Sequence, residues 1–251
     1  MTATSQTVAA RDAAFAAFTG GFRLIDLTDV LGPDTVLWPG APGLEIRDAV
    51  SHDNGGYHAR IYTTFEHAGT HFDAPEHFVP GGADTASISI DDLVVPAVVI
   101  DLTEKAAADA NAVVEVSDVE AFEAEHGTIQ PGTAVLLNSG WAHRKTDALS
   151  YAGTETTEDL KFPGFGVEAS QLLVERGVVG LGVDTLGIDP GDKPDFPVHR
   201  HVTHPAGLWH LENLINVDQL PPVGAVIAVG VPRIDGGTGF PTRVFAFVSK
   251  N

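Results

Sequence analysis

Apolar and polar positions recur along the chain with two periods, and the periods predict where strands and helices fall. Residues 22–31 (FRLIDLTDVL) read as a first strand and its turn. Residues 44–50 and 57–65 read as strands flanking the Asn54-Gly55-Gly56 turn. Residues 95–101 form an apolar run ending in Asp101, which suits a buried strand, as does 134–138. Residues 117–126 open on Ser-Asp-Val-Glu, a pattern in which the first and fourth side chains satisfy each other's backbone amides, and stop at Gly127, so a helix is expected. Residues 167–176 read as an amphipathic helix stopped by Gly177, followed by a strand over 178–183 that ends at Asp184. A short strand over 209–214 and two more over 225–231 and 244–248 close the sheet. Ahead of these, residues 9–18 suggest a short amphipathic helix. Strands outnumber helices, but strand–helix–strand units occupy the middle. The expected class is α/β: a single compact domain over 22–251 with a mixed sheet, preceded by a helical extension over 1–21.

Composition narrows the partners. A length of 251 residues is near the upper limit for one hydrophobic core. Fourteen Lys and Arg stand against 34 Asp and Glu, a balance that repels nucleic acid and anionic lipid, so neither is expected as a partner. No apolar run approaches the roughly 18 residues of a membrane span. The first twenty residues carry Arg11 as their only basic side chain and do not read as a signal peptide. The absence of cysteine excludes disulfides and thiolate metal sites and is compatible with the cytoplasm.

The chemistry concentrates in residues 67–77, HAGTHFDAPEH. His67, His71, Asp73 and His77 all occupy odd positions, so on an extended chain they share one face. Gly69 and Pro75 argue against a regular helix, and a strand end running into a turn is expected. Imidazole and carboxylate form a ligand set for zinc or manganese, with one group left over to move a proton. Gly69 would let the backbone approach the ion, and Thr70 could orient a ligand through its hydroxyl. The alternative is a solvated polar loop; clustering beside Phe65, Phe72 and Phe78 argues against it. A second polar group lies downstream: His199, His201, His204, His210 and Glu212. His201 and His204 read as a solvated turn before Pro205, whereas Glu212 sits in an apolar strand, where a carboxylate is costly unless paired or metal-bound. Spacing alone does not choose among the histidines. Asn138-Ser139-Gly140-Trp141 and Asp184-Thr185 follow buried strands and either line a cleft or cap turns. With no cysteine and no Gly-x-Ser-x-Gly segment, a covalent nucleophile is not expected.

His67-x-Gly-Thr-His71-x-Asp73-x-Pro-x-His77 resembles the signature of the metal-dependent cyclase-like hydrolases, a family with kynurenine formamidase and isatin hydrolase branches. Similar blocks occur at 36–40, 131–141, 182–189, 197–199 and 212–214, so the resemblance covers most of residues 22–249. It implies a barrel-like sheet with flanking helices (a swivelling β/β/α fold), assembled as a homodimer or homotetramer. It implies that His67, His71 and Asp73 hold a first zinc or manganese ion, that Asp73 bridges to a second, and that His77 carries protons. His199 and Glu212 match the second-metal positions, although their separation is one residue longer than in the formamidase branch, and His201 is the neighbour that would replace His199. Trp38 and Trp141 are the implied substrate contacts, with a half-buried core tryptophan the other reading of Trp38. The implied reaction is hydrolysis of a C–N amide bond in a small aromatic substrate of the N-formylkynurenine type. Ring opening of an isatin-like lactam, or of a lactone, is the alternative; a metal- or ligand-binding protein without turnover is the third.

Overall fold

The strands at the middle of the sheet are covered on both faces. In the computed structural model, which describes residues 20–154 and 158–250, the segments Ala134–Asn138, Gly180–Val183 and Trp209–Glu212 are buried at every position. Strands nearer one edge, Ala225–Gly230 and Arg243–Ser249, bury every second residue. The expected helix at 9–18 lies outside the described residues.

In chain order the strands are β1 (Phe22–Asp26), β2 (Glu45–Val50), β3 (Ala59–Thr63), β4 (His71–Asp73), β5 (Val94–Asp101), β6 (Val113–Val114), β7 (Ala134–Asn138), β8 (Gly164–Phe165), β9 (Gly180–Val183), β10 (Trp209–Glu212), β11 (Ala225–Gly230), β12 (Gly239–Pro241) and β13 (Arg243–Ser249). Nine of them form one strongly curled half-barrel in the order β1-β13-β11-β5-β7-β9-β10-β4-β12. Its centre, β5-β7-β9-β10, is parallel, and its flanks are antiparallel. The molecule is thus a single α/β domain with a mixed, barrel-like sheet.

The parallel centre needs crossovers, and helices supply them. Helices α1 (Thr103–Ala108) and α2 (Val116–His126) connect β5 to β7, and α3 (Val167–Glu175) lies between β7 and β9. Val119 and Phe122 of α2 and Ala169 and Leu173 of α3 pack on Val135, Leu137, Leu181 and Val183. The opposite face buries Phe72, Leu136, Trp209 and Leu211 with the apolar residues of β5, β11 and β13. The N-terminal box of α2 is shifted two residues from its expected place. Glu115, not Ser117, is the capping residue, paired with Asp118, and Lys105 Nζ reaches both carboxylates at 2.8 and 2.7 Å. β2 and β3 form a separate, largely exposed hairpin joined by the short helical turn His52–Gly55. Among the described residues no helix is long and apolar enough to cross a membrane.

Candidate active site

Three residues of β4 do most of the positioning. Strand alternation sends Phe72 into the core and turns His71 and Asp73 to the opposite face. β4 lies between β10 and β12, with His71 opposite Glu212 and Asp73 opposite His210 on β10. That register places His71, Asp73, His210 and Glu212 on one face of the half-barrel. On the other side Gly239 is opposite Asp73. A Cβ there would lie 2.5 Å from Phe72 O and 2.7 Å from His67 Cε1, so only glycine lets His67 close over the strand.

After Asp73, the single turn Pro75–His77 swings the chain back, and the His77 ring stacks on His67 at 3.8 Å between centroids. His199 arrives on one wide π-type turn, His199–Thr203. Its Nε2 lies 3.3 Å from Glu212 Oε1 and 3.7 Å from Asp73 Oδ2. His71 Nε2 is 3.2 Å from Asp73 Oδ1 and 3.4 Å from Glu212 Oε2, and His67 Nδ1 is 2.6 Å from Asp73 Oδ1.

The hydrogen bonds around the imidazoles fix which nitrogen is free. His71 Nδ1–H donates to Gly69 O at 2.8 Å, and His71 Nε2 is buried without a hydrogen-bond partner among the described residues. Thr238 Oγ1 donates its one proton to Glu66 Oε2 at 2.6 Å and therefore accepts from His67 Nε2–H at 3.1 Å. Asp189 Oδ2 accepts from His199 Nδ1–H at 2.5 Å. When neutral, each ring turns a lone pair towards carboxylate oxygens, and acceptor faces acceptor unless a proton or a metal cation lies between them. Outer hydrogen bonds of this kind are what hold metal-binding imidazoles in one tautomer. Ligand atoms of His71, Asp73 and Glu212 lie within 4.8 Å of one another, as do those of His67, Asp73 and His77, and imidazole with carboxylate is a donor set that fits a divalent ion.

The electrostatics agree. Burial would lower His71, but Asp73 and Glu212 outweigh it and raise the imidazole to about 10. Burial would raise Asp73, yet the neighbouring imidazoles hold it well below the carboxylate range. The two carboxylates draw positive charge into the cluster. His77 differs: burial dominates, lowering it to about 4, so the ring is neutral near pH 7.

A cavity of about 260 Å³ opens onto these groups, walled by Trp38, Phe65, Phe78, Leu186 and Phe196. Trp38 sits 5.5 Å from Phe196 and 6.2 Å from Phe162, so it is both a wall and a packed residue. Phe196 adopts a left-handed φ of 52°, a strained conformation for a bulky residue and one concentrated at functional sites. Arg200, exposed at the rim, lies over the Phe78 ring at 5.0 Å.

The structure therefore brings His67, His71, Asp73, His77, His199, Glu212 and Trp38 together. Trp141 does not join them. It is 1% exposed, donates Nε1–H to Tyr151 O at 2.7 Å and carries Arg144 on its ring, so it belongs to the core beneath Trp38. His201 is exposed, while His199, held by Asp189, faces Glu212 and Asp73. His204, expected in solvent, is buried. Asp184 binds the Ser139 and Trp141 amides, the turn-capping reading. Gly69 contributes differently from expectation: its φ of +60° turns its carbonyl to His71. Thr70 touches no ligand; it donates to Asn213 O and accepts from Asp29 N–H, tying β4 to the turn after β10. The roles of Asp189, Thr238, Phe196 and Arg200 carried no local sequence signal.

Comparison with known proteins gives the chain's relatives. A family model described as "Putative cyclase" matches residues 25–190. The chain is 32% identical over 248 residues to isatin hydrolase of Roseibium aggregatum, covering 92% of this chain and 94% of that protein. It is 26% identical over 223 residues to kynurenine formamidase of Salinibacter ruber, covering 88% and 95%. A crystal structure of an isatin hydrolase bound to the product analogue thioisatinate superposes over the whole of both chains, with a TM-score of 0.87 and 30% identity.

Proposed function

The chain belongs to the cyclase family of metal-dependent hydrolases, and we propose that within it the chain opens the ring of a small aromatic lactam of the isatin type. The observation that carries this reading is the full-length likeness to isatin hydrolases, which exceeds the likeness to the formamidase of Salinibacter ruber. It reverses the order expected from the signature, where the formamidase reaction came first. The cavity supports the choice. Trp38, Phe65, Phe78 and Phe196 enclose a slot suited to a flat ring system, and aromatic walls bind such rings by offset or edge contacts.

A divalent ion held by His67, His71 and Asp73 would polarise the substrate carbonyl and lower the pKa of water towards about 7. The remaining steps fall to side chains. His77, neutral at pH 7, accepts a proton from the attacking water at its free ring nitrogen as the new C–O bond forms. It returns that proton to the lactam nitrogen as the C–N bond breaks, leaving an amine and a carboxylic acid, which releases the second water proton to solvent to become the carboxylate. Arg200, at the rim over Phe78, is placed to meet the new carboxylate. Asp189 holds His199 in the tautomer that faces Glu212 and Asp73.

Side-by-side absorbance assays on isatin and N-formylkynurenine test the reading. Higher kcat/KM on isatin is expected. Higher kcat/KM on N-formylkynurenine would move the chain to the formamidase branch, and turnover of neither would overturn the substrate class.

A further inference from the structure

One sequestered charge lies behind the cluster with no part in the reaction. Lys145 follows the single turn Ala142–Arg144, and its side chain is only 12% exposed. Its Nζ donates to Asn213 O at 2.5 Å. The Asp29 carboxylate stands farther off, with Oδ2 at 3.6 Å, and the Tyr151 ring lies 5.6 Å from Nζ. Sequestering an ammonium is costly, so a lysine whose shortest bond goes to a backbone carbonyl calls for a reason. The carbonyl supplies one. Asn213 directly follows Glu212 and turns the chain out of β10 with a left-handed φ of 58°. Lys145 Nζ and, at 2.7 Å, Thr70 Oγ1 both donate to its carbonyl. Its N–H donates to Thr185 O at 2.9 Å, and Tyr151 Oη lies 3.0 Å from its Oδ1. Of these four partners only Lys145 brings a charge. Thr70 immediately precedes His71, so the Asn213 carbonyl ties the segment carrying His71 to the one carrying Glu212. Asn213 also walls both the active cavity and a second one of about 270 Å³, which Lys145 lines.

We propose that Lys145 is a positioning residue: its ammonium, clamped on Asn213 O, fixes the turn after β10 and so holds the Glu212 carboxylate towards His71 and His199. This rests on the metal-dependent reading of the cluster, whichever lactam or amide is cleaved. A charge in this place makes the site sensitive to pH. Burial lowers Lys145 to about 8, against the upward pull of Asp29 and Asp184. Asp34 lines the same cavity, and Tyr151, whose phenol burial pushes well above its usual range, stays neutral. The ammonium is therefore present below about pH 8 and is lost as pH rises through that value. The neutral amine left behind is the weaker donor, because charge-assisted hydrogen bonds are roughly twice as strong as neutral ones.

Zinc titration of metal-stripped wild type, Lys145→Met and Lys145→Arg, on both sides of pH 8, reads the clamp without any substrate. Below pH 8 the Met variant, which fills the space without a donor, is expected to bind zinc about 10-fold more weakly, the low end of the loss for an outer hydrogen-bond partner. The Arg variant keeps its charge at every pH and has the second cavity to expand into, so its affinity is expected within about threefold of the wild type. Above pH 8 the wild type should fall behind the Arg variant. In kcat/KM the same clamp appears as an alkaline limb near pH 8 in the wild type, displaced upward in the Arg variant. A Met variant that binds zinc like the wild type, an Arg variant as weak as the Met variant, or an Arg variant that follows the wild type through pH 8 would each overturn the proposal. Should the Met variant fail to fold, Asp29→Asn decides. Without that carboxylate the wild-type fall is expected at lower pH, and a fall that stays in place would overturn the proposal. Turnover of neither isatin nor N-formylkynurenine would sink the substrate reading and leave the zinc comparison to decide this one.

Discussion

Residues 67–77 and residues 199–212 feed the same cluster but are built by different rules. The first segment is local. Strand alternation aims His71 and Asp73 together, and one turn folds His77 back over His67. The second is tertiary. His199 sits on a wide turn, Glu212 on a strand, and neither reaches the cluster without the pairing of β4 with β10 and the carboxylate of Asp189. A site half of which is local and half assembled announces its chemistry in the local half. The identity of its remaining ligands depends on the fold.

The comparison breaks first at Asp73, which both halves touch. Asp73→Ala is expected to lose metal and to drop turnover to background, read by metal content and the isatin assay. A variant that keeps its metal would mean the halves do not meet there. His77→Ala tests the local half alone: kcat should fall by about 10²–10⁴ with metal retained. Asp189→Asn tests the assembled half. Removing the carboxylate behind His199 should cost about 10–100-fold in metal affinity or activity, measured by metal titration and kcat/KM. The smallest effects belong to the two tryptophans. Trp38→Ala should raise KM severalfold, in line with about 0.5–1.5 kcal/mol for an aromatic contact. Trp141→Phe should leave KM unchanged and cost about 1 kcal/mol of stability in a denaturant melt, because it removes the Nε1–H bond to Tyr151.

What could be read from the sequence follows physical range. Period-two spacing made the face shared by His71 and Asp73 legible, since alternation is a property of the strand itself. The cost of a carboxylate in an apolar strand made Glu212 legible, and the structure pairs it with His71, His199 and the Ile188 amide. His199 could not be told from His201, because an unusual turn sets which one faces inward and the deciding partner is Asp189. His204 before Pro205 read as solvated. Its Nδ1–H is instead satisfied by Leu208 O, a contact that exists only once the chain doubles back into β10. Trp141 follows a buried strand, as cleft residues do, but the segment carrying Tyr151 closes over it. Thr238, which sets the His67 tautomer, is 171 residues away and left no trace in the motif.

The account rests on a divalent ion joining the two segments. The most direct test is metal content measured together with melting temperature, before and after a chelator. The account predicts bound zinc or manganese, a lower Tm once the ion is removed, and recovery when either metal is returned. An ion held at 100 times its Kd adds about 2.7 kcal/mol of stability. Protein that holds no metal, and whose Tm does not respond to added zinc or manganese, would contradict it.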